Sequence, residues 1–171
     1  IKDKIYEVVL KFLDEDTALV ELGAGYGSKI LGLSQYPKMK DTVFVAAEYT
    51  TSGVEVIKKA ANNMGRHVVV GKCDFESLSI EGGLIPENSV IFTSYATHYV
   101  KKYSQELIDY FISFKPKAVI HIEPFYEHQA SNNIHGLMSR RYFEINNYTL
   151  NQQGELSKAA RMKKIKIGRT Q

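Results

Sequence analysis

The chain has 171 residues, 44% of them hydrophobic and 24% charged, which is the size and composition of one globular domain, residues 1–171, with a continuous core. A single cysteine, Cys73, excludes an internal disulfide framework and fits a reducing, cytoplasmic setting. No apolar stretch reaches the roughly 20 residues of a membrane-spanning helix, so a soluble chain with no membrane partner is expected.

The opening Ile1-Lys2-Asp3-Lys4 lacks the apolar core of a signal peptide, and its first residue is not methionine, so a processed or partial chain is expected. The formal charge of +3 is a tail property. Lys158, Arg161, Lys163, Lys164, Lys166 and Arg169 follow Leu156 with no acidic residue among them. Without these six the 22 basic residues fall below the 19 acidic ones, so nucleic acid is not the expected partner.

Apolar residues at positions 1, 5, 8, 9, 12 and 13 share one helical face, and Asp14-Glu15-Asp16 ends that opening helix. Thr17 to Leu22 is a short apolar run closed by glycines, which predicts a buried strand entering a tight turn. A helix-compatible segment runs to Tyr36 and stops at Pro37. The second strand, Thr42 to Glu48, ends on a carboxylate. Ser52 and Glu55 then form a capping-box pair for a helix with Val54, Ile57, Ala61 and Met64 inward and Gly65 as its stop.

A third strand from about His67 to Cys73 leads into Asp74-Phe75. A polar stretch with Gly82, Gly83 and Pro86 precedes a fourth strand, Ser89 to Ser94. Leu107, Phe111 and Phe114 mark a helix, and Ala118 to Glu123 a fifth strand. Residues 125–146 show no clean period and predict a substrate loop or lid. A helix interrupted by Gly154 follows over 147–162, and Ile165-Lys166-Ile167 alternates like a sixth strand. Short apolar strands alternating with amphipathic helices predict a doubly wound, Rossmann-like α/β sheet, mostly parallel, with helices on both faces.

In such a sheet ligands bind beyond the carboxyl ends of the strands, so the residues closing each strand form the candidate site. Glycines at 23, 25 and 27 let the backbone turn sharply and approach a ligand closely. Glu48 lies 21 residues after Gly27, the place where an acid accepts hydrogen bonds from ribose hydroxyls. A dinucleotide fingerprint requires glycine where Ser28 stands.

The run Glu21-Leu22-Gly23-Ala24-Gly25-Tyr26-Gly27 resembles the acidic-x-Gly-x-Gly-x-Gly signature of class I S-adenosylmethionine-dependent methyltransferases. The resemblance extends from the opening helix to the sixth strand. It implies S-adenosyl-L-methionine as cofactor, with Glu21, Gly23, Ala24, Gly25 and Gly27 facing its methionine portion and Glu48, beside Tyr49, its ribose. Asp74 and Phe75 would contact adenine, and Ser94 would close the site. The family completes its sheet with an antiparallel hairpin, of which only one strand is visible here. That leaves a less stable chain, or an edge that pairs with a partner such as a second copy.

Methyl transfer requires alignment of the acceptor and removal of its proton. The segment Thr93 to Val100 leaves the fourth strand where a base is needed, and it lacks the Asn/Asp-Pro-Pro-aromatic signature of base-amino methylases. His98 is the candidate base, with Tyr95 beside it. Glu123 closes the fifth strand, with His121 two positions back on the same face, so both could point to the acceptor pocket. His128, His135, Arg140 and Arg141 lie in the aperiodic stretch. No metal-ligand spacing is visible and no metal is expected.

His121 to Glu127, Arg140-Arg141-Tyr142 and Asn146-Asn147-Tyr148 together resemble bacterial sugar O-methyltransferases of surface-polysaccharide synthesis. That implies a small, sugar-like acceptor. A non-catalytic cofactor-binding domain, a nicotinamide-dependent oxidoreductase and a nucleic-acid methyltransferase using the basic tail stay open as alternatives.

Overall fold

The computed structural model describes residues 2–82 and 85–168, with the backbone alone for Lys2 and Asp3. Ile1, Gly83 and Arg169 lie outside the described residues. Helix α1 (Lys2–Leu10) leads to strand β1 (Leu19–Leu22), α2 (Ser28–Leu33), β2 (Phe44–Glu48), α3 (Thr51–Asn63), β3 (Val68–Asp74) and β4 (Ser79–Glu81). Strand β5 (Val90–Ser94), α4 (Gln105–Ser113), β6 (Ala118–Ile122), α5 (Ile134–Ile145) and α6 (Gln152–Arg161) follow.

The six strands lie in the order β4-β3-β2-β1-β5-β6, and only the β3–β4 pairing is antiparallel. From β1 the chain winds outward through β2 and β3, then crosses to β5 on the other side of β1. The carboxyl ends of β1 and β5 therefore flank the point where the winding reverses, where such a sheet opens a crevice.

Every residue of β1 and β5 is buried, as strands covered on both faces require. Successive side chains alternate between two cores. Leu19 joins Ile5, Ile30, Ile57 and Phe92 on the α1–α2–α3 side, whereas Val20 and Leu22 join Ile91, Tyr103, Leu107 and Phe111 on the α4–α6 side. Each such fully buried side chain stabilises the fold by roughly 1.5–3 kcal/mol relative to exposure.

Several details differ from expectation. Helix α3 is capped by Thr50, whose hydroxyl accepts the Gly53 N–H at 3.1 Å, rather than by the Ser52–Glu55 pair. Val54, Ile57 and Ala61 face inward, but Met64 is exposed at the helix end. Residues 125–146 are not an irregular loop. They hold a 3-10 turn, Tyr126–His128, and α5, capped by the Asn133 side chain accepting from Gly136 N at 2.8 Å.

The helix expected over 147–162 begins only at Gln152 and runs through Gly154 unbroken. The alternating Ile165-Lys166-Ile167 forms no strand. Ile165 packs against the α4-side core and Lys164 Nζ bonds Asp109 at 2.8 Å, so this segment runs back over α4 instead of along β6. The sixth strand of the sheet is β4, and among the described residues nothing pairs with the outer edge of β6.

Candidate functional site

Beyond β1 the glycine turn bends through left-handed backbone, with φ of 72°, 58° and 74° at Gly23, Gly25 and Gly27. Side chains other than glycine's are strained there. At Gly23 space forbids one as well, because a Cβ would collide with the Ala96 Cβ beyond β5. The Gly23 backbone thus packs directly against the Ala96 methyl, and a cleft of about 500 Å³ opens beside the two strand ends.

Gly23, Gly25, Glu48, Tyr49, Asp74 and Phe75 line this cleft from the β1, β2 and β3 ends, and Tyr95 lines it from the β5 end. Glu48 faces the turn directly. Its Oε2 accepts the Gly25 N–H at 2.9 Å, while Oε1 accepts from the Thr50 N–H and hydroxyl, both at 3.0 Å. Asp74 accepts from Glu76 N and Ser77 Oγ, each at 2.8 Å. Slight burial pushes its carboxyl up, but these bonds outweigh it and hold Asp74 below its ordinary range.

Other residues named from the sequence lie outside the cleft wall. Ala24 and Ser94 are buried, Ser94 Oγ has no hydrogen-bond partner among the described residues, and Gly27 packs under Ile57. Glu21 shares its strand face with Leu19, so its side chain enters the helical layer. Its Oε2 accepts the Ile30 N–H at 3.0 Å near the start of α2, and Lys29 Nζ lies 3.9 Å from Oε1. Burial pushes the Glu21 carboxyl up to about 8, with Lys29 and the Ile30 N–H opposing.

The turn after β5 is organised by Glu123, whose side chain is fully buried. Its carboxylate accepts from Ala96 N at 2.9 Å and Thr97 N at 3.2 Å, and His98 Nδ1 lies 3.0 Å from Oε2. Burial pushes this carboxyl up, but the bonds from His98 and Ala96 outweigh it and keep Glu123 below its ordinary range. Glu123 is therefore an anion sealed beneath the turn, not a lining residue. His98 makes no hydrogen bond through Nε2 among the described residues. Its ring packs against Tyr99 at 4.0 Å and Tyr148 at 5.2 Å, with Tyr95 at 6.0 Å.

His121 does not join this group. Its Nδ1 meets Thr93 Oγ1 at 2.9 Å and its Nε2 meets the Tyr103 hydroxyl at 3.0 Å, and burial pushes the imidazole down to about 4. It lines a separate groove of about 900 Å³ along the β6 edge. Arg140 is turned inward, donating from Nε to the Gln129 carbonyl at 2.9 Å. His128 and His135 are exposed.

The cleft also holds Cys73, Glu76, Ala96, Tyr99 and Val100, none of which was a named site candidate from the sequence. Burial pushes the Cys73 thiol up to about 12, so it stays protonated. Among the described residues no group of three His, Cys, Asp or Glu side chains is placed to hold a metal ion, and no helix is long and apolar enough to cross a membrane.

No protein-family model and no curated protein matches this sequence. Among solved structures, coclaurine N-methyltransferase bound to N-methylheliamine and SAH is similar with a TM-score of 0.51 and 14% identity, over 66% of this chain and 32% of that one. The YcgJ protein of Bacillus subtilis aligns over 57% of this chain and 38% of its own, at 22% identity and a TM-score of 0.45. The N-terminal domain of EvdMO1, solved in the presence of SAH and D-fucose, aligns over 58% and 41%, at 17% identity and 0.48. The aligned parts span well under half of each of these proteins. What this chain shares with coclaurine N-methyltransferase is the fold, a mostly parallel Rossmann-like sheet flanked by helices.

Proposed function

We propose that this chain binds S-adenosylmethionine and transfers its methyl group to a hydroxyl of a small, sugar-like acceptor. The observation that carries the proposal is the convergence of the turn at Gly23 and Gly25, Glu48, Asp74 and Phe75 on one cleft at the point where the sheet reverses its winding. Support also comes from the fold shared with coclaurine N-methyltransferase, whose structure contains SAH.

The residues present fit the cofactor. Glycines at 23 and 25 leave the floor of the cleft free of side chains, and Glu48 Oε2, which accepts only the Gly25 N–H, keeps acceptor capacity for a ribose hydroxyl. Phe75 offers a ring beside Asp74 for adenine. When bound, the cofactor supplies an activated sulfonium methyl. Transfer to oxygen would require this chain to align the acceptor hydroxyl with that methyl and to take up the hydroxyl proton.

His98 takes that proton. Glu123 accepts the Nδ1 hydrogen, which fixes the tautomer and makes Nε2 the accepting atom. Glu123 is a positioning residue that also ties Ala96 and Thr97 in place. His98 is itself buried and does not line the cleft, so the acceptor reaches it only as the exposed Tyr95 and Tyr99 rings, which line the cleft and pack against the imidazole, move aside.

The test is transfer of labelled methyl from S-adenosylmethionine to a panel of hydroxylated acceptors. Transfer that is abolished by Glu48→Ala supports the proposal. Transfer only to amines, or none to any acceptor by protein that binds SAH, would exclude the hydroxyl assignment.

A further inference from the structure

The chain between α5 and α6 grips the turn that carries His98. Thr149 donates its N–H to the His98 carbonyl at 3.0 Å. The Thr149 hydroxyl accepts the Tyr103 N–H at 3.0 Å, and Asn151 Nδ2 donates to the Tyr103 carbonyl at 3.1 Å. The Tyr148 ring stands edge-on to the imidazole. Gln152, the first residue of α6, completes the grip by donating from Nε2 to Thr97 Oγ1 at 3.0 Å.

The bond to Thr97 bears on the imidazole through the Glu123 carboxylate. Oε1 accepts the Thr97 N–H at 3.2 Å, while His98 Nδ1 lies 3.0 Å from Oε2. The placement of Thr97 therefore governs how the carboxylate meets the ring. Thr97 and Gln152 are 0% and 1% exposed, so bulk water does not stand in for either partner.

Gln152 is a poor choice for packing alone. Its side chain bonds Thr97 and Tyr103, but its carbonyl Oε1 is buried with no hydrogen-bond partner among the described residues. Such an orphaned acceptor gives up its hydration without return, and methionine fills a similar space without that loss. The Tyr103 hydroxyl has His121 Nε2 as a second partner at 3.0 Å, whereas Thr97 Oγ1 has Gln152 alone among the described residues. The bond to Thr97 is thus what the amide uniquely supplies.

We propose that Gln152 is a positioning residue for His98. By holding Thr97 it keeps the Glu123 carboxylate aligned with Nδ1, so the ring proton stays on Nδ1 and Nε2 stays free to take another. This rests on the role given to His98 in the function proposed above.

The experiment compares wild type with Gln152→Met, Thr97→Val and Thr97→Ser, in protein carrying isotope-labelled histidine whose His98 signals are assigned with His98→Gln. The readouts are exchange of the His98 Nδ1–H with water by NMR, urea unfolding and calorimetric SAH affinity. In Gln152→Met that exchange should quicken about five- to tenfold, the worth of one hydrogen bond, while the urea midpoint stays level or rises and SAH affinity is unchanged. Thr97→Val should quicken it equally, and Thr97→Ser, which keeps the hydroxyl, should not. Gln152→Met/Thr97→Val should exchange no faster than either single variant, because both changes remove the same bond.

Unchanged exchange in Gln152→Met overturns the inference. So does a lowered urea midpoint with exchange of His98 and of the core backbone amides rising in the same proportion, which assigns Gln152 to fold stability alone. Additive effects in the double variant separate Gln152 from Thr97 and overturn it as well. Wild type that fails to bind SAH overturns the function proposed above instead; the His98 signal is read without cofactor or acceptor and still decides whether Gln152 holds the ring.

Discussion

Replacing Glu21 by glutamine should make the protein more stable at neutral and alkaline pH. Glu21 is fully buried, and its carboxyl is pushed from an ordinary 4.5 up to about 8. Between those values the folded protein holds a proton that the unfolded chain has released, so wild-type stability is complete below pH 4.5 and declines as pH rises toward 8. Each unit costs about 1.4 kcal/mol, so near pH 7 wild type has given up about 3 kcal/mol. Glutamine keeps an acceptor for the Ile30 N–H and cannot ionise. Urea unfolding at pH 5, 6, 7 and 8 should show Glu21→Gln gaining on wild type at each step. Because other titrating groups are common to both proteins, parallel pH profiles would show that Glu21 is already ionised in the fold, and would refute the reasoning.

Three further outcomes follow from the site. His98→Ala should lower kcat by about 10²–10⁴-fold, the usual contribution of a positioned base, with calorimetric SAH affinity unchanged. A coupled loss of SAH binding would place His98 in the cofactor site instead. Gly23→Ala puts a methyl at positive φ against Ala96 and should destabilise the fold by more than about 1 kcal/mol, read by chemical denaturation, and weaken SAH binding. His121, held neutral by burial with its pKa pushed down to about 4, should withdraw stability as pH falls from its ordinary 6.5 through 4. His121→Gln should lack that acid-side decline, and an identical decline in both proteins would count against the assignment.

The parts of the fold legible in the sequence were those in which burial alone sets the pattern. β1, β2 and β5 are mostly apolar runs, with Glu21 interrupting β1, because helices cover both faces of the sheet. β4 is only Ser79-Ile80-Glu81, too short to leave a pattern and formed by pairing back on β3. Helix α5 escaped notice for a different reason: its apolar residues point to solvent and Arg140 and Arg141 break the run, so no buried face announces it. The Ser52–Glu55 spacing was a plausible cap. Glu48 accepting from the Thr50 N–H and hydroxyl moves the helix start two residues earlier.

The same division runs through the site. Glu48, Asp74 and Tyr95 could be found because a parallel sheet brings its strand ends to one edge. Glu21 sits equally close to the turn in sequence, but it lies within β1, where alternation sends its side chain to α2. The sealed role of Glu123 was not legible either, because the turn that wraps it, Ala96 to His98, belongs to a different strand end.

The most direct test of the central claim is calorimetric titration of the protein with SAH and, separately, with NAD⁺. Saturable binding of SAH that weakens at least about tenfold in Glu48→Ala, a loss of roughly 1.4 kcal/mol, with no binding of NAD⁺, is the predicted result. Binding of NAD⁺ with no response to SAH would contradict it.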